Sequence, residues 1–395
     1  MAEALAGFRP ARRTPVEPVP LAQALHRVPG GPVAAPHALP GFARSTVDGY
    51  AVRAADTYGV SEGLPGYLEV TGAVLMGAEP SVTVAPGTAV SMPTGGVLPP
   101  GADAVVMIEY TQQVMSGTIE VVRPAAPGEG IVRADEDAAQ GDELVPAGRP
   151  LRAQDLAMLA AAGVTTVSVH ARPRVTVFST GDEVVPPQTT DLRPGQVRDA
   201  TAVALVALVT QAGGAPEAGG IVPDDARALE AALRATLTTS DLVVISAGSS
   251  VGARDETAGV VARLGEIWCH GLAIQPGKPT LLAECAGVPV IGLPGNPRSA
   301  LAVFRLLGVP LVRLTGGCTA APPEPSVRAR LARDLPSAAG RLDVVQVRVR
   351  DGVATPLFGP SALLSVLTAA DGYVIIPEEA TGLDAGTEAD VTLYS

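Results

Sequence analysis

The stretch from Arg174 to about residue 316 constrains this chain most, because apolar strand-like runs and helical runs take turns there. RVTVFST, DLVVIS and VPVIGL are short, nearly continuous apolar segments, the pattern of strands buried on both faces. Between the first two, TAVALVALVTQ and DDARALEAALRATL read as helices, the second with Asp224 or Asp225 available to cap it. A further helix, RSALAVFRLLGVPLVRL, follows the third strand. Such alternation predicts a doubly wound α/β domain, whose ligands gather where loops leave the carboxyl ends of the strands.

The flanks read differently. Residues 1–40 are Pro-rich, with room for one short helix around Leu21 to Arg27. Residues 41–135 carry the short alternating runs YLEVTG, TAVSM, DAVVMIEY and IEVVRP, bounded by Gly and Pro, and predict a β-rich domain. LRAQDLAMLAAAG reads as a helix stopped by Gly163, leading into the strand-like VTTVSVHARP. A Pro-rich linker near 318–330 precedes a small, β-barrel-like C-terminal domain. The expected division is 1–40 with 136–172 as an N-terminal linking domain, 41–135 as the β-rich domain, 173–316 as the α/β domain and 322–395 as the C-terminal β domain. The fold class is thus α/β plus β, in an elongated multidomain chain.

Charge narrows the partners. The 28 Lys and Arg against 40 Asp and Glu leave a net charge of −12, a field that opposes nucleic acid and anionic membrane but still allows a local basic pocket. Aromatics are only 3%, too few for a stacking platform along single-stranded nucleic acid. The longest apolar run, about Ala202 to Val209, is far short of the ~20 residues that span a bilayer. The N-terminus breaks into Arg and Pro before any signal-like apolar core. Cys269, Cys285 and Cys318 are odd in number and lack paired-ligand spacing, so they read as reduced packing thiols of a cytoplasmic protein. The four histidines show no zinc-ligand spacing.

Chemistry concentrates in the loops. STVDGYAV presents Asp48 at a sharp turn, where the plain reading is an Asx-turn. MPTGGVLPPGADAVV offers the Thr94 hydroxyl and bare glycine amides, or simply a wide loop between strands. VRADED gathers Asp135, Glu136 and Asp137, a cluster that favours a solvated face over a cation site. FSTGDE ends a buried strand with Thr180 and Gly181, which allow close ligand approach, then Asp182 and Glu183, carboxylates suited to a metal ion or proton transfer or to capping a turn. SAGSSVGARDET leaves backbone N–H groups free around Gly248 and Gly252, a phosphate nest without the P-loop Gly-Lys-Ser/Thr; Asp255 could hold Mg²⁺ or cap the next helix. QPGKPTLL holds Lys278 between prolines, and GLPGNPRSAL is a strand-to-helix elbow with Asn296 at its helix start. Each loop alone also fits an ordinary tight turn. Their joint placement at the strand ends of one sheet describes a site for a phosphorylated, metal-associated small molecule.

Read in order, STVDGYAV, TGGVLPPGADAVV, VRADED with GDELVPAG, STGDEV, SAGSSVGARD, QPGKP and GLPGNPRSA resemble the molybdopterin molybdenumtransferase family (MoeA and the gephyrin E domain), with weaker matches at GRLD and GPSALLSVLTAADGY. The resemblance runs from about Val19 to Leu393. It implies a four-domain, elongated homodimer that inserts molybdate into adenylylated molybdopterin, with AMP leaving and Mg²⁺ assisting. Molybdopterin adenylyltransferase and molybdoenzymes are the implied partners. By this resemblance Glu183 and Asp255 hold Mg²⁺ at the adenylate phosphates. Thr180, Gly181, Asp182, Ser246, Gly248, Ser250, Gly252, Pro294, Gly295 and Asn296 line the molybdopterin-adenylate site. Lys278, Ser299, Arg341 and Ser361 bind molybdate, and Asp48 and Thr94 arrive from the partner subunit, Asp48 as general base or water-orienting group.

Several positions depart from the family pattern. Ser246-Ala247-Gly248-Ser249-Ser250 stands for Ser-Gly-Gly-Val-Ser, and the Ala247 methyl disfavours a positive φ there. Gln275 stands for the first Lys of Lys-Pro-Gly-Lys-Pro, removing one cation beside the implied anion site. Val47 stands for Met, Asp135-Glu136-Asp137 for Gly-Glu-Asp, and Gly359-Pro360-Ser361 for Gly-x-Gln-x-Ser. Two other readings of the chain remain: a divergent molybdopterin-binding paralogue without insertion activity, or a tungstate-specific version. The related adenylyltransferase shares the α/β domain but consists of that domain alone.

Overall fold

The computed structural model describes residues 7–10, 12–247, 251–321 and 323–394, with side chains omitted for 251–255. The chain opens on β1 (Val16–Pro20). The predicted helix at Leu21 to Arg27 is instead a single 3₁₀ turn, Leu21–Gln23, between Pro20 and a left-handed His26 at φ 62°. A six-stranded sheet follows, built from β2 (Gly49–Val52), β3 (Gly66–Ala73), β4 (Thr88–Met92), β5 (Ala104–Met107), β6 (Thr111–Met115) and β7 (Thr118–Val121), in the order β5-β2-β4-β3-β7-β6. One side of it buries Val52, Leu68, Ala89, Val106, Ile119 and Val121. The chain then returns through α1 (Ala153–Ala161), closed at Gly163 with φ 80°, and β8 (Thr166–His170). β8 pairs antiparallel with β1, from Val16 opposite His170 to Pro20 opposite Thr166.

The α/β segment has β9 (Arg174–Thr180), α2 (Ala200–Gln211), β10 (Ala215–Val222), α3 (Ala226–Thr236), β11 (Leu242–Ser246), α4 (Val251–Leu264), β12 (Gly265–His270), the short β13 (Ile274–Gln275), β14 (Leu281–Cys285), β15 (Val288–Leu293), α5 (Pro297–Val303) and α6 (Val309–Thr315). Its sheet order is β10-β9-β11-β15-β14-β12. The first four strands are parallel, while β14 and β12 extend the edge antiparallel, so the sheet is mixed. Every residue of β11 and β15 is buried, as their unbroken apolar runs require. Val177, Val244 and Ile291 pack with Leu205 and Val209 of α2 and with Val303 and Phe304 on one face. Val243, Ile245 and Val290 pack with Leu229 and Leu233 of α3 and Val260 and Val261 of α4 on the other. Of the two aspartates available, Asp225 caps α3 by accepting from the Ala228 N–H at 2.8 Å; Asp199 caps α2 in the same way at 3.0 Å. A π turn, Phe304–Gly308, joins α5 to α6, at the point where Pro310 has no N–H to offer the preceding turn.

The C-terminal strands close on themselves. β16 (Ser326–Leu331), β17 (Leu342–Arg350), β18 (Val353–Pro356), β19 (Gly372–Ile376) and β20 (Glu388–Leu393) run β17-β18-β16-β20-β19 and back to β17, a five-stranded barrel around Val347, Val374 and Val391. α7 (Leu364–Ala369), in the segment GPSALLSVLTAADGY, was not foreseen as a helix. β13 adds to the barrel edge in parallel with β17, Gln275 opposite Asp343. No helix among the described residues is long and apolar enough to cross a membrane.

Candidate active site

Parallel register brings the chemistry-bearing loops together. Ser179 of β9 stands opposite Ser246 of β11, and Ser246 opposite Leu293 of β15, so the loops after these strands leave side by side. Two clefts open there and share Gly295 and Asn296 of the elbow before α5. Pro297 at the helix start supplies the fixed φ that this sharp entry needs.

The first cleft, about 570 Å³, lies between the α/β segment and the barrel. Lys278, Pro294, Gly295, Asn296, Ser299, Arg341 and Ser361 all line it. The Lys278 loop is pinned from behind: Gly277 has φ 130°, and a Cβ there would lie 2.3 Å from Val303. The Thr280 hydroxyl closes the same turn by donating to the Gly277 carbonyl at 2.7 Å. Arg341 is braced in a fork by Asp343, Nε to Oδ1 at 2.7 Å and Nη2 to Oδ2 at 3.0 Å. Arg298, which the motif reading passed over, lines the cleft as well and is 8% exposed. Three cations, Lys278, Arg298 and Arg341, face one lining carboxylate, Asp343, which leaves two positive charges in a chain of net −12. A cleft of this kind selects an oxyanion.

The second cleft, about 390 Å³, holds Ser179, Thr180, Glu183, Ser246 and Ala247. The Ser179 and Thr180 hydroxyls are buried and have no hydrogen-bond partner among the described residues. An unmet hydroxyl costs about 1–3 kcal/mol, so this pair at one strand end has bonding capacity that an ordered water or a ligand in the cleft would satisfy. Glu183 folds back over Gly181, whose φ is 139°; a Cβ on Gly181 would lie 2.4 Å from the carboxylate. Oxygen donors of this type suit a hard cation such as Mg²⁺. Among the described residues no group of three or more His, Cys, Asp or Glu gathers into a metal site. Asp182 turns elsewhere and accepts from the Asp224 N–H at 3.2 Å. Gly181 and Asp182 line neither cleft. Gly248 and Ser250 lie outside the described residues, and of Gly252 and Asp255 only the backbone, in α4, is described. Ala247 is buried, has no positive φ, and continues the ladder by donating to the Leu293 carbonyl at 3.1 Å, so its methyl is accommodated.

Asp48 and Thr94 meet each other on the β-rich sheet. The Thr94 N–H donates to the Asp48 carboxylate at 2.8 Å, and both residues are exposed. Gly49 allows this turn to lie against β5, since a Cβ there would fall 1.9 Å from the Val106 carbonyl oxygen. Neither Asp48 nor Thr94 lines the two clefts of its own chain. Asp135, Glu136 and Asp137 are exposed, with Glu136 accepting from the Arg133 N–H at 2.7 Å, the solvated turn that was expected.

Another arginine-lined cleft, about 560 Å³, contains Arg27, Arg149, Arg152 and Arg313. Glu17, Asp155 and Glu324 pair with these four, Asp155 with both Arg149 and Arg152, while a fifth lining arginine, Arg172, donates to the Gly213 carbonyl at 3.4 Å. Cys285 and Cys318 are buried and unpaired; burial pushes the Cys285 thiol up to about 11, which suits a packing residue rather than a nucleophile.

Comparison with known proteins finds matches along nearly the whole chain. Residues 1–163 match the MoeA N-terminal region (domain I and II), residues 176–314 a probable molybdopterin binding domain, and residues 328–394 the MoeA C-terminal region (domain IV). The chain is 35% identical over 385 residues to molybdopterin molybdenumtransferase 2 of Mycobacterium tuberculosis, covering 94% of each. It is 38% identical over 297 residues to the molybdopterin molybdenumtransferase of a Nostoc species, covering 74% of this chain and 67% of that one. The molybdopterin biosynthesis MoeA protein of Pyrococcus horikoshii superposes with a TM-score of 0.83 at 30% identity, over 100% of this chain and 99% of that one. With relatives this similar over nearly its full length, the chain belongs to the MoeA family of molybdopterin molybdenumtransferases.

Proposed function

We propose that this chain inserts molybdate into adenylylated molybdopterin, releasing AMP and giving molybdenum cofactor. The observation that carries the reading is the pair of joined clefts: a positively charged one, with Lys278, Ser299, Arg341 and Ser361, beside one with unmet hydroxyls and Glu183. In this reading molybdate, a tetrahedral dianion, sits against Lys278 and Arg341 and accepts from Ser299 and Ser361. In this reading the pterin and adenylate meet Thr180, Ser246 and the Gly295–Asn296 elbow, and Gly181, Asp182, Gly248, Ser250 and Gly252 are the further binding residues that the resemblance implies. Glu183 and Asp255 would hold Mg²⁺, which offsets phosphate charge when bound. The chain acts as a homodimer, in which the partner's exposed Asp48–Thr94 turn completes the site and its Asp48 orients water or accepts a proton. The four-domain division given above, a cytoplasmic location, and hand-over from an adenylyltransferase to molybdoenzymes belong to the same proposal.

The test is AMP release from purified protein given molybdopterin-AMP, Mg²⁺ and molybdate, with tungstate in parallel. Molybdate-dependent release with active cofactor formed is the expected result. Tight ligand binding without release under either oxyanion would overturn insertion in favour of a cofactor-binding paralogue. Faster release with tungstate would reassign the oxyanion.

A further inference from the structure

Gln275 is neutral where the family resemblance implies a Lys, and it shares its cleft with a buried arginine. Gln275 and Arg298 both line it, one from the loop that carries Lys278 and one from the first turn of α5. Arg298 is 8% exposed and forms no ion pair with a carboxylate among the described residues. Its Nε donates to Gln346 Oε1 and one Nη to the Gly359 carbonyl at 2.6 Å, both neutral acceptors. Gln346 is itself fully buried, and its amide approaches the Tyr394 hydroxyl at 3.5 Å, so the acceptor side of this brace is fixed. Other well-buried arginines here are matched by carboxylates: Arg27 by Glu17, Arg149 by Asp155 and Arg305 by Glu324. A buried guanidinium with only neutral partners is poorly compensated, and burial indeed works against its charged form. An anion in the cleft supplies the missing counter-charge.

We propose that Arg298 is an oxyanion-binding residue that takes over the charge absent at Gln275, so that the cleft keeps its cation count with one cation moved from the loop to the helix. The proposal rests on the reading of this cleft as the molybdate site. It predicts energetic coupling between positions 275 and 298, since a cation restored at one should matter most when the other is gone.

The experiment is calorimetric titration of molybdate into the full-length protein as wild type, Arg298→Met, Gln275→Lys and the double variant. Arg298→Met should weaken binding about tenfold to a hundredfold, the range for losing one charge-assisted hydrogen-bonding group. Adding Gln275→Lys to it should recover most of that loss, and should improve affinity far more there than in the wild-type background. Arg298→Lys, which keeps the charge, should bind more tightly than Arg298→Met; it and Arg298→Gln, which keeps a donor for Gln346, carry the comparison if Arg298→Met lacks a cooperative unfolding transition. Wild-type binding with no loss in the Arg298 variants overturns the proposal alone, as does equal gain from Gln275→Lys in both backgrounds. No molybdate binding by the wild type overturns the molybdate reading of the cleft, and this proposal with it.

Discussion

At the scale of single residues, the unmet hydroxyls that line a cleft, those of Ser179 and Thr180, can be tested for whether they serve the fold or a ligand. Ser179 and Thr180 are 2% and 4% exposed at the carboxyl end of β9, where no described group answers them. Thr180→Val keeps the shape and removes the hydroxyl. It should therefore raise the stability of the ligand-free protein by about 1 kcal/mol, since an unsatisfied polar group is taken out of the interior. The same change should weaken molybdopterin-AMP binding about tenfold. Urea unfolding and equilibrium binding check the two halves; a less stable variant that binds as well as wild type would mean the hydroxyl serves the fold. The sequence showed Thr180 as the end of an apolar strand followed by Gly181. It did not show that Ser179, one residue earlier, shares the cleft, because burial at a strand end depends on what packs over it. Arg298 was hidden for a related reason. It sits in plain view inside GLPGNPRSA, but its depth is set by Gln346 and Gly359, which lie in another part of the chain.

At the scale of elements, α1 shows how one carboxylate can hold a helix start. Asp155 is 6% exposed; it takes two hydrogen bonds from Arg149, at 2.6 and 2.8 Å, and further ones from the Arg152 side chain and N–H. The Arg149 bonds, aided by Arg152, hold its carboxyl well below the usual carboxylate range. A folded-state value below the unfolded one, ~3.9, means that the stabilisation is fully present above about pH 4 and is lost progressively as pH falls from there down through the folded-state value. Arg152 is 57% exposed, so its share is screened and Arg149 carries most of the effect. Asp155→Asn should cost about 2–3 kcal/mol at neutral pH and flatten the acid side of the stability profile below about pH 4. Urea midpoints across pH 2 to 7 read both effects, and an unchanged acid slope would place the titrating group elsewhere. The alternation of strands and helices was legible because each element carries its own period and its own stop, such as Gly163 after α1 and Asp225 before α3. The mixed edge was not: LLAEC reads the same whether it pairs parallel or antiparallel, and only the tight Ala286–Gly287 turn to β15 decides it. The 3₁₀ turn after β1 and the helix α7 escaped because each is too short to show a period.

At the scale of the whole molecule, residues far apart in the chain meet without any local signal. β1 pairs with β8 some 150 residues later, and β13 joins the α/β segment to the barrel through β17. Lys278, Ser299, Arg341 and Ser361 were grouped beforehand only through the resemblance, whereas the fold seats them around one cleft. Asp48 and Thr94 form their own pair on the β-rich sheet, exposed and outside both clefts. If the partner's pair completes each site, the two halves can be supplied by different chains. Asp48→Asn and Glu183→Gln should each be nearly inactive alone. Unfolded together and refolded at equal amounts, they should form about half mixed dimers, each with one site free of both changes. Molybdate-dependent AMP release should then return to about a quarter of the wild-type level, by the statistics of random pairing in a two-fold dimer. Recovery at that level would establish that Asp48 acts across the dimer. If the refolded mixture contains mixed dimers but stays inactive, Asp48 and Glu183 must work within one chain, and the Asp48–Thr94 turn would have to reach its own clefts by a movement of the β-rich sheet.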